Sequence, residues 1–272
     1  MILSFIIVVK NNLPGLRLTL NSIFSSSKIE LINSYEILVI DGFSDDGSYQ
    51  FAREFVSKNK KIKISVSQLK PAGVYNAMNF AIEITKAEWV IFLNSGDILV
   101  EKLAKIDSAF QGIHKSTTVI YGGCGVFFSE RPKQYFFSNF RKISTEVLAH
   151  QSTIYKKNLH EKYCLYREDL VAFSDKYFLD SLINEEKYFL EETISATLVS
   201  PKNISRDPKV IISDFKTRLD QREIHQIKII RVLMKFAVYS FEKLLGFALF
   251  FYLGKIFGLI IGKDKIKKIS VF

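Results

Sequence analysis

Polar side chains follow the ends of apolar, strand-like runs at several points in the first hundred residues. The run Trp89–Leu93 ends at the tetrad Asn94-Ser95-Gly96-Asp97, and the stretch Gly73–Asn79 precedes it. In an open α/β sheet, the carboxyl ends of the strands and the turns after them form the crevice in which ligands bind. We therefore expect a ligand site here, built from carboxylate and amide side chains and from free backbone groups.

Three acidic or amide side chains recur at consecutive points of this expected crevice, namely Asp41, Asn76 and Asp97. Each has a structural alternative. Asp41 is also a common turn residue in Ile-Asp-Gly, Asn76 and Asn79 could cap a helix, and Asp97 could cap the helix that follows it. The recurrence at successive strand ends favours one shared ligand site over three unrelated turns.

The elements that must position these side chains are predicted from hydrophobic periodicity. Runs of strand length alternate with segments of helical period, and this order implies parallel strands joined by helical crossovers. The predicted strands are Phe5–Val9, Glu36–Ile40, Ile62–Val66, Trp89–Leu93 and, later, Thr118–Phe128. The predicted helices are Leu16–Phe24, a helix opened by Ser44–Gly47 with Asp and Ser as N-caps and ending near Val56, Val74–Thr85 and Lys176–Ile183.

The composition is that of a folded domain with an appendage. With 272 residues and 48% hydrophobic content, the chain can bury a sizeable core. Cys124 and Cys164 have no CxxC partner, so neither a zinc site nor a disulfide framework is indicated. Residues Leu3–Val9 read directly as a strand without a signal-peptide pattern, so we expect the folded domain to be cytoplasmic.

The net charge of +10 is concentrated in the last part of the chain. Residues 216–272 contain twelve Lys and Arg against four Asp and Glu, and Leu244–Gly262 is apolar except for Lys255. We therefore divide the chain into a domain at 1–215 and a basic, apolar, helical tail at 216–272 that contacts a membrane. The alternative is an amphipathic helix packed on the domain or on a second subunit. Charge placed in an apolar tail argues against a nucleic-acid partner.

Four blocks of the chain resemble successive motifs of family 2 glycosyltransferases, at residues 4–12, 39–48, 73–79 and 92–97. Ala149–Ser152 and Ala172–Tyr177 resemble later blocks of the family. The resemblance implies the Rossmann-like GT-A fold, an α/β fold with a mostly parallel sheet flanked by helices. It also implies transfer of a sugar from a nucleotide diphosphate to an acceptor hydroxyl, often with inversion. The motif variants look most like the small enzymes of bacterial surface-polysaccharide pathways.

The same resemblance assigns roles to individual residues. Asp97 is the candidate ligand for a divalent cation, Mn²⁺ or Mg²⁺, although Asn94 and Gly96 stand where the family more often has Asp. Asp41 would accept a hydrogen bond from the nucleotide base. The residues expected to bind the donor nucleotide are Val9, Asn11, Asp41, Gly73, Asn76 and Asn94.

On the acceptor side, Asp175 is the candidate base that takes the proton of the acceptor hydroxyl. The alternative for Asp175 is a plain N-cap of the following helix. His150 and Gln151 are expected to line the acceptor side, although a lone His is more often structural.

We therefore expect a GT-A glycosyltransferase on the cytoplasmic face of the membrane, acting on a lipid-linked glycan acceptor. A second interpretation is a non-catalytic protein of the same fold that assembles with other enzymes at the membrane, which the altered acidic motif favours. A dinucleotide-dependent oxidoreductase is disfavoured, because Lys10-Asn11-Asn12 follows the first strand where a GxGxxG loop would be required.

Overall fold

The computed structural model describes residues 2–25, 35–60, 62–101, 103–128, 134–138, 148–199, 209–210, 212–213 and 266–268. Within these ranges, ten strands form one sheet with helices on both faces. The strands are β1 (Leu3–Val9), β2 (Tyr35–Asp41), β3 (Lys63–Gln68), β4 (Trp89–Phe92), β5 (Ile98–Leu99), β6 (Val119–Phe128), β7 (Gln134–Ser138), β8 (Thr153–Lys156), β9 (Lys187–Val199) and β10 (Ile266–Lys268). The helices are α1 (Leu13–Ser25), α2 (Ser48–Lys58), α3 (Val74–Ile84), α4 (Leu103–Gly112), α5 (Leu159–Lys162) and α6 (Ser174–Ser181).

The first four strands form the parallel half of the sheet, in the order β3-β2-β1-β4. Phe5 of β1 lies opposite Ile37 of β2 and Ile91 of β4. Their carboxyl ends therefore meet at one edge, as the alternating sequence pattern predicted. The other half is mixed, because β8 is antiparallel to both β4 and β6, whereas β9 runs parallel to β6.

Alternate residues of β1 face two separate apolar cores. Phe5 and Ile7 pack with the buried faces of α1 and α4, and Ile6 packs with the buried face of α3. Successive side chains of a strand point to opposite faces of the sheet. A strand buried on both faces therefore reads as a continuous apolar run, and this is why β1 appears in the sequence as Phe-Ile-Ile-Val-Val.

The start of α2 differs from the expected side-chain cap. The N-cap position is Gly47, in the left-handed conformation with φ 89°, and no side chain caps the helix from that position. Asp46, one residue earlier, does the bonding instead. Its Oδ1 accepts hydrogen bonds from the Ser48 backbone N–H at 3.0 Å and from the Ser48 hydroxyl at 2.6 Å. The turn chemistry was recognised correctly, but the position of the cap was wrong.

The predicted tail at 216–272 lies outside the described residues except for Ile266–Lys268. These three residues form β10, antiparallel to β7, so they are strand rather than helix. Among the residues that the structure describes, no helix is long and apolar enough to cross a membrane.

Candidate active site

Asp41 ends β2 at the crevice edge, and its carboxylate is buried but only partly bonded. Oδ2 accepts hydrogen bonds from the Ser44 backbone N–H and from the Gln68 amide, both at 3.0 Å. Oδ1 has no hydrogen-bond partner, and the residue is 0% exposed. A buried carboxylate oxygen without a donor is costly. The position therefore suits a ligand that supplies an N–H or O–H group.

The turn after β1 is tied to Asp41 through Ser44. The Asn11 backbone N–H donates to Ser44 Oγ at 2.9 Å, and the Asn11 side chain accepts from the Asp45 N–H at 3.0 Å. Asn11 is exposed and has a positive φ of 50°. The carbonyl of Val9 is already bonded to the Gly42 N–H at 2.9 Å. At this turn, a ligand can therefore contact the exposed Asn11 rather than the carbonyl of Val9.

The loop Asn94–Asp97 closes on the same turn. The Ser95 backbone N–H donates to the carbonyl of Val8, at the end of β1, at 3.2 Å, and the Asn12 side chain donates to the carbonyl of Ser95 at 2.9 Å. Asn94 Oδ1 is buried and has no hydrogen-bond partner. The turn after β1 therefore contacts both neighbouring elements, the end of β2 with the unpartnered Asp41 Oδ1 and the loop after β4 with the unpartnered Asn94 Oδ1.

Asp97 points into the protein rather than along the strand. It is 5% exposed, and its Oδ2 accepts the Asn94 backbone N–H at 3.1 Å. Burial raises the pKa of Asp97 to about 7, although hydrogen bonds from Thr197 and from the Asn94 N–H act in the opposite direction. Within the described ranges, no cluster of three or more His, Cys, Asp and Glu is arranged to hold a metal ion.

Thr19 of α1 fixes this loop and was missed in the sequence. Its hydroxyl donates to the carbonyl of Asp97 at 2.6 Å and accepts from the Gly96 N–H at 3.0 Å. Gly96 itself has a φ of 108°, which favours glycine at this position. A threonine in the middle of an amphipathic helix carries no sequence signal for such a contact, because the partner is 77 residues away.

Asp175 lies in the first turn of α6, with its side chain 31% exposed. The Tyr75 hydroxyl donates to Asp175 Oδ1 at 3.0 Å and accepts from the Ser174 backbone N–H at 3.1 Å. Burial, together with the charge of Asp175, raises the pKa of Tyr75, so its hydroxyl keeps its proton and remains a donor. Tyr75 therefore holds one carboxylate oxygen and leaves Oδ2 free for another partner.

His150 faces that second oxygen. Its Nδ1 lies 4.0 Å from Asp175 Oδ2, and its ring stacks on Phe92, the last residue of β4, at 5.2 Å between centroids. Burial lowers the pKa of His150, and Asp175 offsets part of this effect. Gln151 follows in the same turn and is half-buried. Because Asn94 is two residues beyond Phe92, the Asp175 and His150 pair lies at the same sheet edge as the donor-side residues.

Asn76 makes a different contact from the one expected. It donates to Glu168 Oε2 at 2.9 Å, and Asn79 donates to Glu168 Oε1 at 2.8 Å. Asn79 also exchanges hydrogen bonds with the backbone of Tyr166. Neither amide caps α3, which begins after Gly73 with a φ of 101° and no capping side chain. These amides tie α3 to the segment before α6, and a contact between Asn76 and the donor stays a prediction.

A sheet whose parallel strands β3-β2-β1-β4 end at one edge, with buried acceptors at the ends of β2 and β4, has the architecture in which α/β proteins bind ligands at the strand ends. The family described as Glycosyl transferase family 2 matches residues 4–172, more than half of the chain. The chain therefore belongs to glycosyl transferase family 2, which confirms both the family and the enzyme class predicted from its motifs.

Curated relatives match only part of their own length. A PGL/p-HBAD biosynthesis glycosyltransferase of Mycobacterium tuberculosis is 27% identical over 46% of this chain and 49% of the relative. The poly(ribitol-phosphate) beta-N-acetylglucosaminyltransferase TarS of Staphylococcus aureus is 27% identical over 56% of this chain and 25% of its own. The match thus spans about half the length of the mycobacterial relative and less of TarS.

Solved structures show the same fold. Residues 1–349 of S. aureus TarS in complex with UDP superpose with a TM-score of 0.60 at 21% identity, covering 92% of this chain and 75% of that one. The mannosyltransferase PcManGT of Pyrobaculum calidifontis, in complex with GDP-Man and Mn²⁺, gives a TM-score of 0.61 at 13% identity, covering 87% and 69%. The predicted α/β GT-A-like fold is therefore confirmed for the part of the chain that the structure describes.

Proposed function

We propose that this chain transfers a sugar from a nucleoside-diphosphate donor to a hydroxyl of a glycan acceptor, with inversion at the anomeric carbon. One observation carries the proposal. Three buried side-chain polar atoms of the described residues lack a hydrogen-bond partner, and two of them stand at the carboxyl-end edge of the parallel strands: Asp41 Oδ1 at the end of β2 and Asn94 Oδ1 after β4. Buried acceptors of this kind suit a ligand with N–H and O–H groups, which a nucleoside supplies.

The donor binds across the ends of β1, β2 and β4. Asp41 Oδ1 accepts a base N–H, and Asn94 Oδ1 accepts a ribose hydroxyl or ligates a cation. The diphosphate lies toward Gly73 and the N-terminus of α3, where free N–H groups and the helix dipole favour anions. The complexes of TarS with UDP and UDP-GlcNAc, and that of PcManGT with GDP-Man, support a nucleoside-diphosphate sugar as the donor class.

A divalent cation at this site would have few protein ligands. Asn94, with its unpartnered oxygen, would hold Mn²⁺ or Mg²⁺, and Asp97 would join it by turning from the Asn94 N–H toward the cation, since hard cations accept amide and carboxylate oxygens and often need only one or two protein carboxylates beside phosphates. When bound, the cation would neutralise charge that develops on the leaving diphosphate. The complex of PcManGT with GDP-Man and Mn²⁺ supports a divalent cation as the class of cofactor.

Asp175 acts as the general base. Tyr75 holds Oδ1, so Oδ2 is the oxygen that takes the proton of the acceptor hydroxyl. The acceptor oxygen forms the new bond to the anomeric carbon while the bond from that carbon to the diphosphate oxygen breaks. The electron pair leaves with the diphosphate, and attack from the opposite side inverts the configuration.

The acceptor is proposed to be a lipid-linked glycan at the cytoplasmic membrane face, in the synthesis of a surface polysaccharide. The basic, apolar composition of residues 216–272 supports membrane contact. The relative named as a poly(ribitol-phosphate) beta-N-acetylglucosaminyltransferase supports a polymeric acceptor.

The test is calorimetric binding of UDP, GDP, dTDP and CMP with and without Mn²⁺. Asp41→Asn should weaken binding of the preferred nucleotide by roughly tenfold or more, because one amide oxygen cannot serve both the Ser44 and Gln68 donors and the base. Asp45→Asn, which changes an exposed carboxyl four residues along the chain, should bind like wild type. Asp97→Ala should abolish the gain from Mn²⁺.

Selective, metal-enhanced binding that depends on Asp41 would support the donor site. Absence of binding by folded wild-type protein would refute it and would favour the alternative, a non-catalytic assembly protein of the same fold. Equal losses in Asp41→Asn and Asp45→Asn would show that the effect is a general one of charge rather than a contact with the base.

A further inference from the structure

Four buried polar rings, those of His150, Tyr166, Tyr155 and His160, form a hydrogen-bonded relay behind Asp175, and the sugar transfer proposed above uses none of them. His150 Nε2 is 3.1 Å from the Tyr166 hydroxyl, which is 2.6 Å from the Tyr155 hydroxyl. The Tyr155 hydroxyl is 3.0 Å from His160 Nε2, and His160 Nδ1 is 2.9 Å from the carbonyl of Cys164. All four ring residues are at most 5% exposed.

At the far end of this relay, the hydrogen bonds can run in only one direction. A backbone carbonyl only accepts hydrogen bonds, so His160 Nδ1 carries a proton. Burial lowers the pKa of His160 to about 4, which leaves the ring neutral and its Nε2 an acceptor. The single proton of the Tyr155 hydroxyl is therefore donated to His160.

This direction determines every other hydrogen bond of the relay, because each hydroxyl has one proton to donate. With the Tyr155 proton used, Tyr166 must donate to the Tyr155 oxygen. With the Tyr166 proton used, His150 Nε2 must carry the proton of their shared hydrogen bond. Neutral His150 then has an unprotonated Nδ1, and that atom is the one that faces Asp175 Oδ2 at 4.0 Å.

Ring packing holds both imidazoles in these orientations. His160 stacks on Phe178 with centroids 4.0 Å apart and an angle of 11°, and His150 stacks on Phe92 at 24°. A ring flip of either histidine would exchange a nitrogen for a carbon at a buried polar contact. The tautomers are therefore set by the fold rather than by solvent.

We propose that His150 is a positioning residue that receives a hydrogen bond from Asp175 once the carboxyl has taken the acceptor proton. The backbone carbonyl of Cys164 fixes the required tautomer of His150, acting through the hydrogen bonds of His160, Tyr155 and Tyr166. This inference rests on the proposed role of Asp175 as base. Two acceptors that face each other 4.0 Å apart repel, and a proton delivered to Oδ2 relieves that repulsion by donating to Nδ1. His150 thus favours the protonated product of the transfer step.

The groups that face His150 and Asp175 define what a pH experiment can report. His150 is packed against Phe92 of β4, Tyr166 and Asp175, and Asp175 is bonded to Tyr75 of α3. Burial raises the pKa of Tyr75, Tyr155 and Tyr166 and lowers that of both histidines. The three tyrosines therefore keep their protons and the two histidines stay neutral at neutral pH.

The decisive experiment is nitrogen NMR of protein labelled with ¹⁵N-histidine, which needs no substrate. The protein has four histidines, so the spectrum can be assigned with the variants His150→Gln and His160→Gln. At neutral pH we expect His160 protonated on Nδ1 and His150 on Nε2. In Tyr155→Phe, Tyr166 loses its acceptor and donates to His150 instead, so His150 should switch to the Nδ1 tautomer although Tyr155 does not bond to it.

Turnover gives the second readout, measured as release of the nucleoside diphosphate that binds in the calorimetric test from its sugar donors. The switched tautomer donates to the Asp175 carboxylate, and a hydrogen bond to a charged group shifts a titration by about one to two pH units. The acidic limb of the pH profile of Tyr155→Phe should therefore move to lower pH by that amount, with a lower maximum. Tyr163→Phe is the control, because its hydroxyl bonds to Glu185 and not to the relay.

Each outcome decides the inference separately from the transferase activity. The relay is overturned if His150 is protonated on Nδ1 in wild type, or if its tautomer is unchanged in folded Tyr155→Phe, whether or not the nucleoside diphosphate is released. The expected tautomers without any turnover would support the relay and count against the proposed function. Tyr166→Phe provides a second way to interrupt the hydrogen-bonded relay if Tyr155→Phe does not fold.

Discussion

Replacement of Asp97 by Asn should stabilise the metal-free protein, and the gain should grow with pH. Burial raises the pKa of Asp97 from 3.8 to about 7. The folded protein therefore binds this proton more tightly than the unfolded chain, and stability falls as pH rises from about 4 through 7. A difference of about three pH units corresponds to roughly 4 kcal/mol. The amide of the Asp97→Asn variant carries no charge, so that variant escapes this loss.

The assay is urea unfolding in EDTA at pH values from 4.5 to 8. The free energy of unfolding of Asp97→Asn minus that of wild type should be small at pH 4.5 and should reach roughly 3 to 4 kcal/mol at pH 8. The variant Asp45→Asn, which replaces an exposed carboxyl, should show no such trend. A difference that is constant across the range would refute the reasoning, because it would mean that the buried carboxyl titrates alike in both states.

Mn²⁺ connects this stability to the site. A cation that binds Asp97 favours its charged form, so Mn²⁺ at about 100 times its dissociation constant should stabilise wild type at pH 8 by roughly 2.7 kcal/mol and leave Asp97→Asn unchanged. Equal stabilisation of both proteins would place the cation elsewhere.

Three further predictions concern catalysis, the backbone and the tail. Asp175→Asn should reduce turnover by roughly 10² to 10⁴-fold while nucleotide affinity, measured by calorimetry, stays the same. Gly73→Ala should lower the free energy of unfolding by about 1 to 2 kcal/mol, because φ is 101° although no atom lies within 4 Å of the added carbon. Replacement of four tail lysines by Gln should reduce binding to vesicles containing anionic lipid by roughly 10³-fold, because each charge contributes about 1 kcal/mol. Those lysines are Lys263, Lys265, Lys267 and Lys268.

Each of these has a matched control. Asp180→Asn changes another carboxyl of α6 and should leave turnover intact, whereas equal losses would remove the special role of Asp175. Gly112→Ala adds a methyl group in open space without a positive φ and should not destabilise the protein. Four lysines of the folded domain should not affect vesicle binding when changed to Gln, and a loss equal to that of the tail variant would contradict the tail assignment. Those lysines are Lys60, Lys86, Lys115 and Lys176.

The parallel half of the fold could be predicted from the sequence because its signals are local. Strands buried on both faces are continuous apolar runs, and the helices between them repeat with helical period, so β1 to β4 and α1 to α3 were placed within a few residues. The mixed half was not resolved. The long strand β6 pairs with β7, β8 and β9, and those pairings join segments whose patterns carry no information about their partners.

The sequence by itself determined which side chains end the strands, so Asp41, Asn94 and Asp97 were found as candidates. Only the tertiary structure decided their environments. Asp97 is buried against β9 with a raised pKa, and Asn76 bonds to Glu168.

The structure also brought together Asp175 and His150, which are 25 positions apart, with Tyr75 from α3. In the proposed relay, the tautomer of His150 depends on four hydrogen bonds that lead from its Nε2 to the carbonyl of Cys164. A hydrogen bond has a direction that depends on every partner along its chain, and no spacing of residues in a sequence encodes that.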